Sequence, residues 1–289
     1  MKKGIAALVG AAVAASALFT ACRFNVSPGD YFFDNDEEYT EFTGQTVELD
    51  EKNVTSLDLD WVAGEIEIRE GEKLTVAEEN LKGTYCPLYF AVKDGALCVK
   101  FCKSGTLGSV IGNCSKKVTV TLPEGMKEIK VNSVSAKIGT DYQKKLESVT
   151  VNTVSGDCAV AFDALESIKT DAVSANVDIS VNGASSVVCN SVSGNAQILG
   201  SAGEVSAHSV SGDFKIIVNN KELRSVKIDT ISGDAEIELD GSRDCSLEYN
   251  TVSGKLTNEV GEVKNASGDK IGIKVDSVSG NLNIVKNQD

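Results

Sequence analysis

From Val131 onward one five-residue phrase recurs eight times. It reads Asn132-Ser133-Val134-Ser135-Ala136, Asn152-Thr153-Val154-Ser155-Gly156, Asp171-Ala172-Val173-Ser174-Ala175 and Asn190-Ser191-Val192-Ser193-Gly194. His208-Ser209-Val210-Ser211-Gly212, Asp229-Thr230-Ile231-Ser232-Gly233, Asn250-Thr251-Val252-Ser253-Gly254 and Asp276-Ser277-Val278-Ser279-Gly280 complete the set. The second serines are spaced by 20, 19, 19, 18, 21, 21 and 26 residues. A period near 20 marks a stack of short units, each too small to bury a core alone. The longest step holds an extra turn at Ala266-Ser267-Gly268-Asp269, and Asp60-Trp61-Val62-Ala63-Gly64 reads as a degenerate ninth copy.

Alternating segments flank the phrase, such as Val149-Thr150-Val151 before it and Ala235-Glu236-Ile237-Glu238-Leu239 after it. Alternation sends every second side chain inward and the others to water. The phrase breaks that alternation, and Ser-Gly followed by Asp, Asn or Lys is turn chemistry. Ala136 and Ala175 show that a left-handed glycine is not required in every copy. Each copy buries about four aliphatic side chains, worth roughly 1.5–3 kcal/mol apiece. Ordering its backbone costs roughly 1–2 kcal/mol per residue, so ladders between copies must supply the difference. The expected fold is therefore an all-β, single-stranded parallel β-solenoid of about 20-residue coils. Serines, valines and Asx residues should each form a column along its axis, with His208 interrupting the last.

The phrase and its spacing resemble the toastrack-type putative adhesin family of bacterial envelope proteins, over roughly residues 47–287. That resemblance implies a right-handed β-helix-like winding and an association with adhesion or envelope-stress signalling. It brings no catalytic residues.

The start of the chain indicates where it works. Lys2-Lys3, an apolar stretch to Phe19 and the small residues Thr20-Ala21 before Cys22 describe a lipoprotein signal. The stretch is shorter than the roughly 20 residues of a membrane span. The reading divides the chain into a signal peptide (1–21), an acidic, aromatic tether or cap (22–45), a first coil with an irregular Cys-containing hairpin insertion (46–130) and regular repeats (131–289). In the insertion, Lys93-Asp94-Gly95 looks like a hairpin turn. The expected location is extracytoplasmic, with lipid on Cys22 anchoring the chain to the membrane.

A net charge of −14 argues against nucleic acid as a partner. An envelope protein, a wall or surface glycan, or a cationic peptide suits it better. Outside the cytoplasm, Cys86, Cys98, Cys102 and Cys114 read as disulfide formers. Pairing across the Gly95 turn favours Cys86 with Cys102 and Cys98 with Cys114, among three pairings. Cys158, Cys189 and Cys245 read as buried small hydrophobes. The cysteines lack the close spacing of a zinc knuckle, and no cofactor motif is present. His208, the only histidine, reads as a structural side chain without a nucleophile partner. Asp157, Asp213 and Asp234 follow the phrase and should line one edge, where solvated turn carboxylates are a simpler reading than a weak calcium site. The function expected is non-catalytic binding at the cell envelope. A polysaccharide-active enzyme on a β-helix scaffold and a purely structural spacer are the alternatives.

Overall fold

The computed structural model describes residues 38–287 apart from 45, 51, 84, 105–113, 164, 220, 241 and 261–269. Cys22, most of the tether and the turn at 266–269 lie outside the described residues. The described chain is all-β and divides at 164/165 into two compact units.

The first unit holds β1 (Thr40–Glu41), β2 (Thr46–Glu48), β3 (Ser56–Glu70), β4 (Thr75–Gly83) and β5 (Tyr89–Lys93). It continues with β6 (Ala96–Lys100), β7 (Cys114–Leu122), β8 (Glu128–Tyr142), β9 (Leu146–Thr153) and β10 (Cys158–Asp163). β8 pairs in parallel with β9 through its first half and with β10 through its second. Its other edge pairs in parallel with β3. Beyond β3 lie β6 on the first half and β7 on the second, again parallel. Thus the segment read as an insertion builds a further layer on the far side of β3. Antiparallel strands cover that layer: β5 and then β1 on β6, β4 and then β2 on β7. Asp94 and Gly95, at φ 49° and 80°, turn β5 into β6 as a tight hairpin requires.

The second unit holds β11 (Leu165–Ala172), β12 (Val177–Ser191), β13 (Ala196–Ser209), β14 (Phe214–Val218) and β15 (Ser225–Thr230). It continues with β16 (Ala235–Leu239), β17 (Cys245–Asn250), β18 (Leu256–Asn258), β19 (Ile271–Ser277) and β20 (Leu282–Lys286). One parallel ladder runs β11-β12-β13-β15-β19-β17. The other runs β12-β13-β14-β16-β20-β18. The last copy in the chain therefore lies between the sixth and the seventh, so the stack departs from chain order. Hydrophobicity explains the exchange. The last copy buries Ile271, Ile273, Val275, Leu282 and Ile284, whereas β17 and β18 of the seventh copy remain half-buried or exposed at the end. There Tyr249 replaces an aliphatic residue and donates its hydroxyl to Gly280 O at 2.8 Å.

The phrase works as a bracket between repeats. Its first Ser or Thr points inward, and its oxygen accepts from the amide three residues on: Ser133 from Ala136, Ser191 from Gly194, Ser209 from Gly212, Thr230 from Gly233 and Ser277 from Gly280, at 2.6–3.0 Å. Its second Ser is exposed and donates to a carbonyl of the neighbouring repeat, as Ser155 does to Val134 and Ser193 to Val173, both at 3.3 Å. The glycine that follows is required by space. None of Gly156, Gly194, Gly212, Gly233, Gly254 and Gly280 lies at positive φ. A Cβ at Gly194 would sit 1.6 Å from Ala175 O, and one at Gly156 1.8 Å from Ala136 O.

Gly194→Ala should therefore destabilise the protein by about 1–3 kcal/mol through overpacking against backbone. Gly139→Ala, whose new Cβ would meet nothing nearer than Ile66 O at 3.9 Å, should change stability by less than about 0.5 kcal/mol. Urea denaturation of the two variants beside the parent measures the contrast.

Candidate functional site

In the second unit, the residue after five of the six phrases is Asn or Asp and forms an outward column, Asn176, Asn195, Asp213, Asp234 and Asn281, with Lys255 after the sixth. Each side-chain oxygen accepts the amide of its neighbour in the stack. Asn176 Oδ1 takes Asn195 N at 3.3 Å, and Asn195 Oδ1 takes Asp213 N at 3.0 Å. Asp213 Oδ1 takes Asp234 N at 2.8 Å, and Asp234 Oδ1 takes Asn281 N at 2.7 Å. Two residues further along each strand, a second column presents Asp178, Gln197, Lys215, Glu236 and Asn283 in register. Together the columns line an open groove of about 650 Å³. Lys215 Nζ lies 2.8 Å from Glu236 Oε1 and 2.8 Å from Glu238 Oε1, and those two hydrogen bonds raise its pKa above the ordinary lysine value. Asp213 and Asp234 thus share one groove. Asp157 belongs to the first unit, where its carbonyl accepts the amide of Ile138 at 2.9 Å.

The Asx residues inside the phrase form another ladder, in which amides donate to carboxylates or to other amides. Asn132 Nδ2 donates to Asp60 Oδ1 at 2.7 Å, and Asn152 Nδ2 to Asn132 Oδ1 at 2.8 Å. In the second unit Asn190 donates to Asp171 at 2.6 Å and Asn250 to Asp276 at 2.8 Å. His208 occupies this column, with Nδ1 2.9 Å from Asp229 Oδ2. Its Nε2 lies 3.0 Å from Ser206 Oγ, so the absence of a serine partner read from the sequence is corrected. The signal was available, because residues two apart on a strand share a face. Burial works against the Asp229 charge, but hydrogen bonds from His208 and Lys227 outweigh it and hold the carboxyl below its usual 3.8.

A different polar cluster lies inside the first unit. On β7, Cys114, Lys116, Val118, Val120 and Leu122 point inward, so Lys116 stands in a core column and is fully buried. Its Nζ lies 2.5 Å from Glu78 Oε1 on β4, a side chain only 1% exposed. The same ammonium donates to Cys86 O at 2.8 Å and to Phe101 O. It sits 4.9 Å from the Trp61 ring centroid and 4.3 Å from that of Phe101. Tyr85 donates its hydroxyl to Glu78 Oε2 at 2.9 Å. Burial, then that hydrogen bond, pushes the phenol up to about 12. The sequence reading missed this cluster because Lys116-Lys117 looks like a solvated pair. Only the Cys114-to-Leu122 alternation marks Lys116 as inward.

The structure brings Cys86 to Cys114, Sγ to Sγ 3.1 Å, with Cys102 also near enough to act on the Cys86 thiol. Cys98 lies on β6 with its Sγ 3.9 Å from Ala96 O, and Cys102 is buried. Cys158 and Cys189 are buried and Cys245 is half-buried. Among the described residues, no group of three or more His, Cys, Asp or Glu is placed to hold a metal ion. No helix among them is long and apolar enough to cross a membrane.

Parallel repeats tied by an interior hydroxyl bracket and exposing side-chain ladders define an all-β repeat protein of β-solenoid type. Residues 46–285 match the family model Toastrack DUF4097, and the chain belongs to that family. Among solved structures it is similar to a "putative lipid binding protein" from Parabacteroides distasonis ATCC 8503, at 14% identity and TM-score 0.53, covering 88% of this chain and 99% of that one. It is similar also to a "putative adhesin" from Parabacteroides merdae ATCC 43184, at 14% identity and TM-score 0.53, covering 87% and 98%. At such identities the likeness concerns the fold. Comparison with curated proteins finds no match.

The buried ion pair gives a sharp expectation. Lys116→Met should destabilise by about 3–5 kcal/mol, because it strands the Glu78 charge in the interior. Adding Glu78→Gln should recover a large part of that loss, measured by denaturation of both single variants and the double.

Proposed function

We propose that this chain is a non-catalytic protein of the bacterial cell envelope, held at the membrane by lipid on Cys22. In this reading it binds a wall or surface glycan along the groove of the second unit. Its repeats wind as the right-handed, single-stranded β-helix expected of its family. The observation that carries the binding role is the pair of in-register columns beside the groove. Amides, carboxylates and one lysine at fixed spacing suit a hydroxyl-rich polymer, which both accepts and donates hydrogen bonds along its length. The solved structure named a putative adhesin agrees with a surface role.

Catalysis has one specific observation in its favour, the Ser206–His208–Asp229 chain of hydrogen bonds. It is the weaker reading. β13 pairs on both edges there, so its amides are committed to ladders and supply no oxyanion donors beside Ser206.

Two measurements test the proposal. Producing cells fed a labelled fatty acid should incorporate it into this protein, and Cys22→Ser should abolish the label. For the groove, Asp213 and Asp234 are poor targets, because their carboxylates hold neighbouring amides. Gln197→Ala with Asn283→Ala removes two outward amides and should weaken binding to isolated wall or surface glycan about tenfold or more, near 1.4 kcal/mol. Unchanged glycan binding, or capture of an envelope protein or cationic peptide alone, would overturn the glycan reading.

A further inference from the structure

We infer that Cys86 and Cys114 are a disulfide-forming pair that closes the open end of the β4–β7 ladder over the buried Lys116–Glu78 ion pair. The two sulfurs are 3.1 Å apart although their residues are 28 positions apart in the chain. The antiparallel β4–β7 register runs from Thr75↔Thr121 to Gly83↔Cys114 and stops there. Cys86 follows three residues beyond that last pair and folds back over Cys114. The same residue's carbonyl accepts Lys116 Nζ at 2.8 Å. A bond between the sulfurs would therefore fix both the end of the ladder and one of the groups that solvate the buried ammonium. Of the other two cysteines in this part of the chain, Cys98 has its sulfur 3.9 Å from Ala96 O, and Cys102 is buried near enough to act on the Cys86 thiol, which makes it the competing partner. The pairing follows from strand register, which the spacing of the cysteines does not reveal.

The oxidation needs a two-electron acceptor, supplied by a disulfide-bearing oxidant of the extracytoplasmic space or by a small-molecule disulfide in vitro. One cysteine thiolate attacks the oxidant's disulfide, forming a mixed disulfide and releasing one oxidant thiolate. The second cysteine thiolate attacks the protein sulfur of that mixed disulfide and releases the other. The protein loses two electrons and two protons, and the oxidant leaves as a dithiol or as two thiols. In the folded, reduced protein, burial and then the Cys114 hydrogen bond push the Cys86 thiol up to about 12. Cys86 is then a poor thiolate and Cys114 is buried away from an oxidant, so the bond forms readily only before this segment packs down, during folding.

The test uses the full chain, unfolded, reduced and refolded in a buffer of small-molecule disulfide and thiol. Free thiols are then alkylated, and the protein is digested without reduction and mapped by mass spectrometry. A Cys86–Cys114 cross-link as the dominant product is expected. Reduction of that product should lower its melting midpoint by roughly 5–10 °C, as for a loop of this length. The same shift should persist in Cys98→Ser and vanish in Cys86→Ser. Folded reduced protein given the same buffer should oxidise at least tenfold more slowly. A dominant link of Cys86 to Cys102, of Cys98 to Cys114, or full alkylation of Cys86 and Cys114 after refolding would overturn the inference. The mapping needs no variant, so a substitution that fails to fold does not weaken it.

Discussion

The stack depends on a close fit between the backbone of one repeat and the turn of the next. At each Ser-Gly bend, a carbonyl of the adjacent repeat occupies the place where a Cβ would project. Strand spacing near 4.8 Å has to be kept through a corner, where neighbouring chains would otherwise diverge. The interior hydroxyl makes that possible. It satisfies the amide of the bend inside the repeat, where a lost hydrogen bond would cost about 1–3 kcal/mol. The second serine ties the outer side of the same corner to the neighbouring carbonyl. With the corner fixed, the strands before and after it stay in register, and every outward column follows from that register.

The columns are consequences of stacking as much as of composition. One Asn or Asp on a turn is a solvated side chain. Five of them at successive layers become a chain of acceptors, each holding the next layer's amide. The second column, two residues along, keeps its polar groups turned to solvent. Lys215 shows the competition within it, since its ammonium is shared between Glu236 and Glu238. The face therefore offers both amides and carboxylates to a ligand, with four carboxylates against the one lysine.

Stacking also creates open ends, which parallel repeats cannot close by themselves. In the first unit, antiparallel β4 and β5 halt the parallel growth, and β1 and β2 cover them. In the second, the copy poorest in aliphatic residues is placed outermost and Tyr249 closes its bend. The cap of the first unit carries a buried ion pair. An ammonium between two aromatic rings, held by a carboxylate and two carbonyls, fixes one arrangement of β4, β7 and the Cys86 segment. Its net contribution to stability is small, because desolvating the two charges offsets most of their attraction.

Much of the architecture was legible in the residues alone. The period near 20 gave repeats, the alternation gave all-β strands, and the recurring phrase located one bend in each repeat. Asp213 and Asp234 were placed correctly on one edge by their position after the glycine. Three things were decided only in three dimensions. The order of the repeats was one, because a copy's place depends on how much apolar surface its neighbours can cover. The partners of Cys86, Lys116 and His208 were another, because strand register brings together residues that spacing leaves unrelated. The last was the reason for the phrase glycine. Sequence suggests a conformational need, whereas the structure shows a steric one, set by a carbonyl belonging to a different repeat.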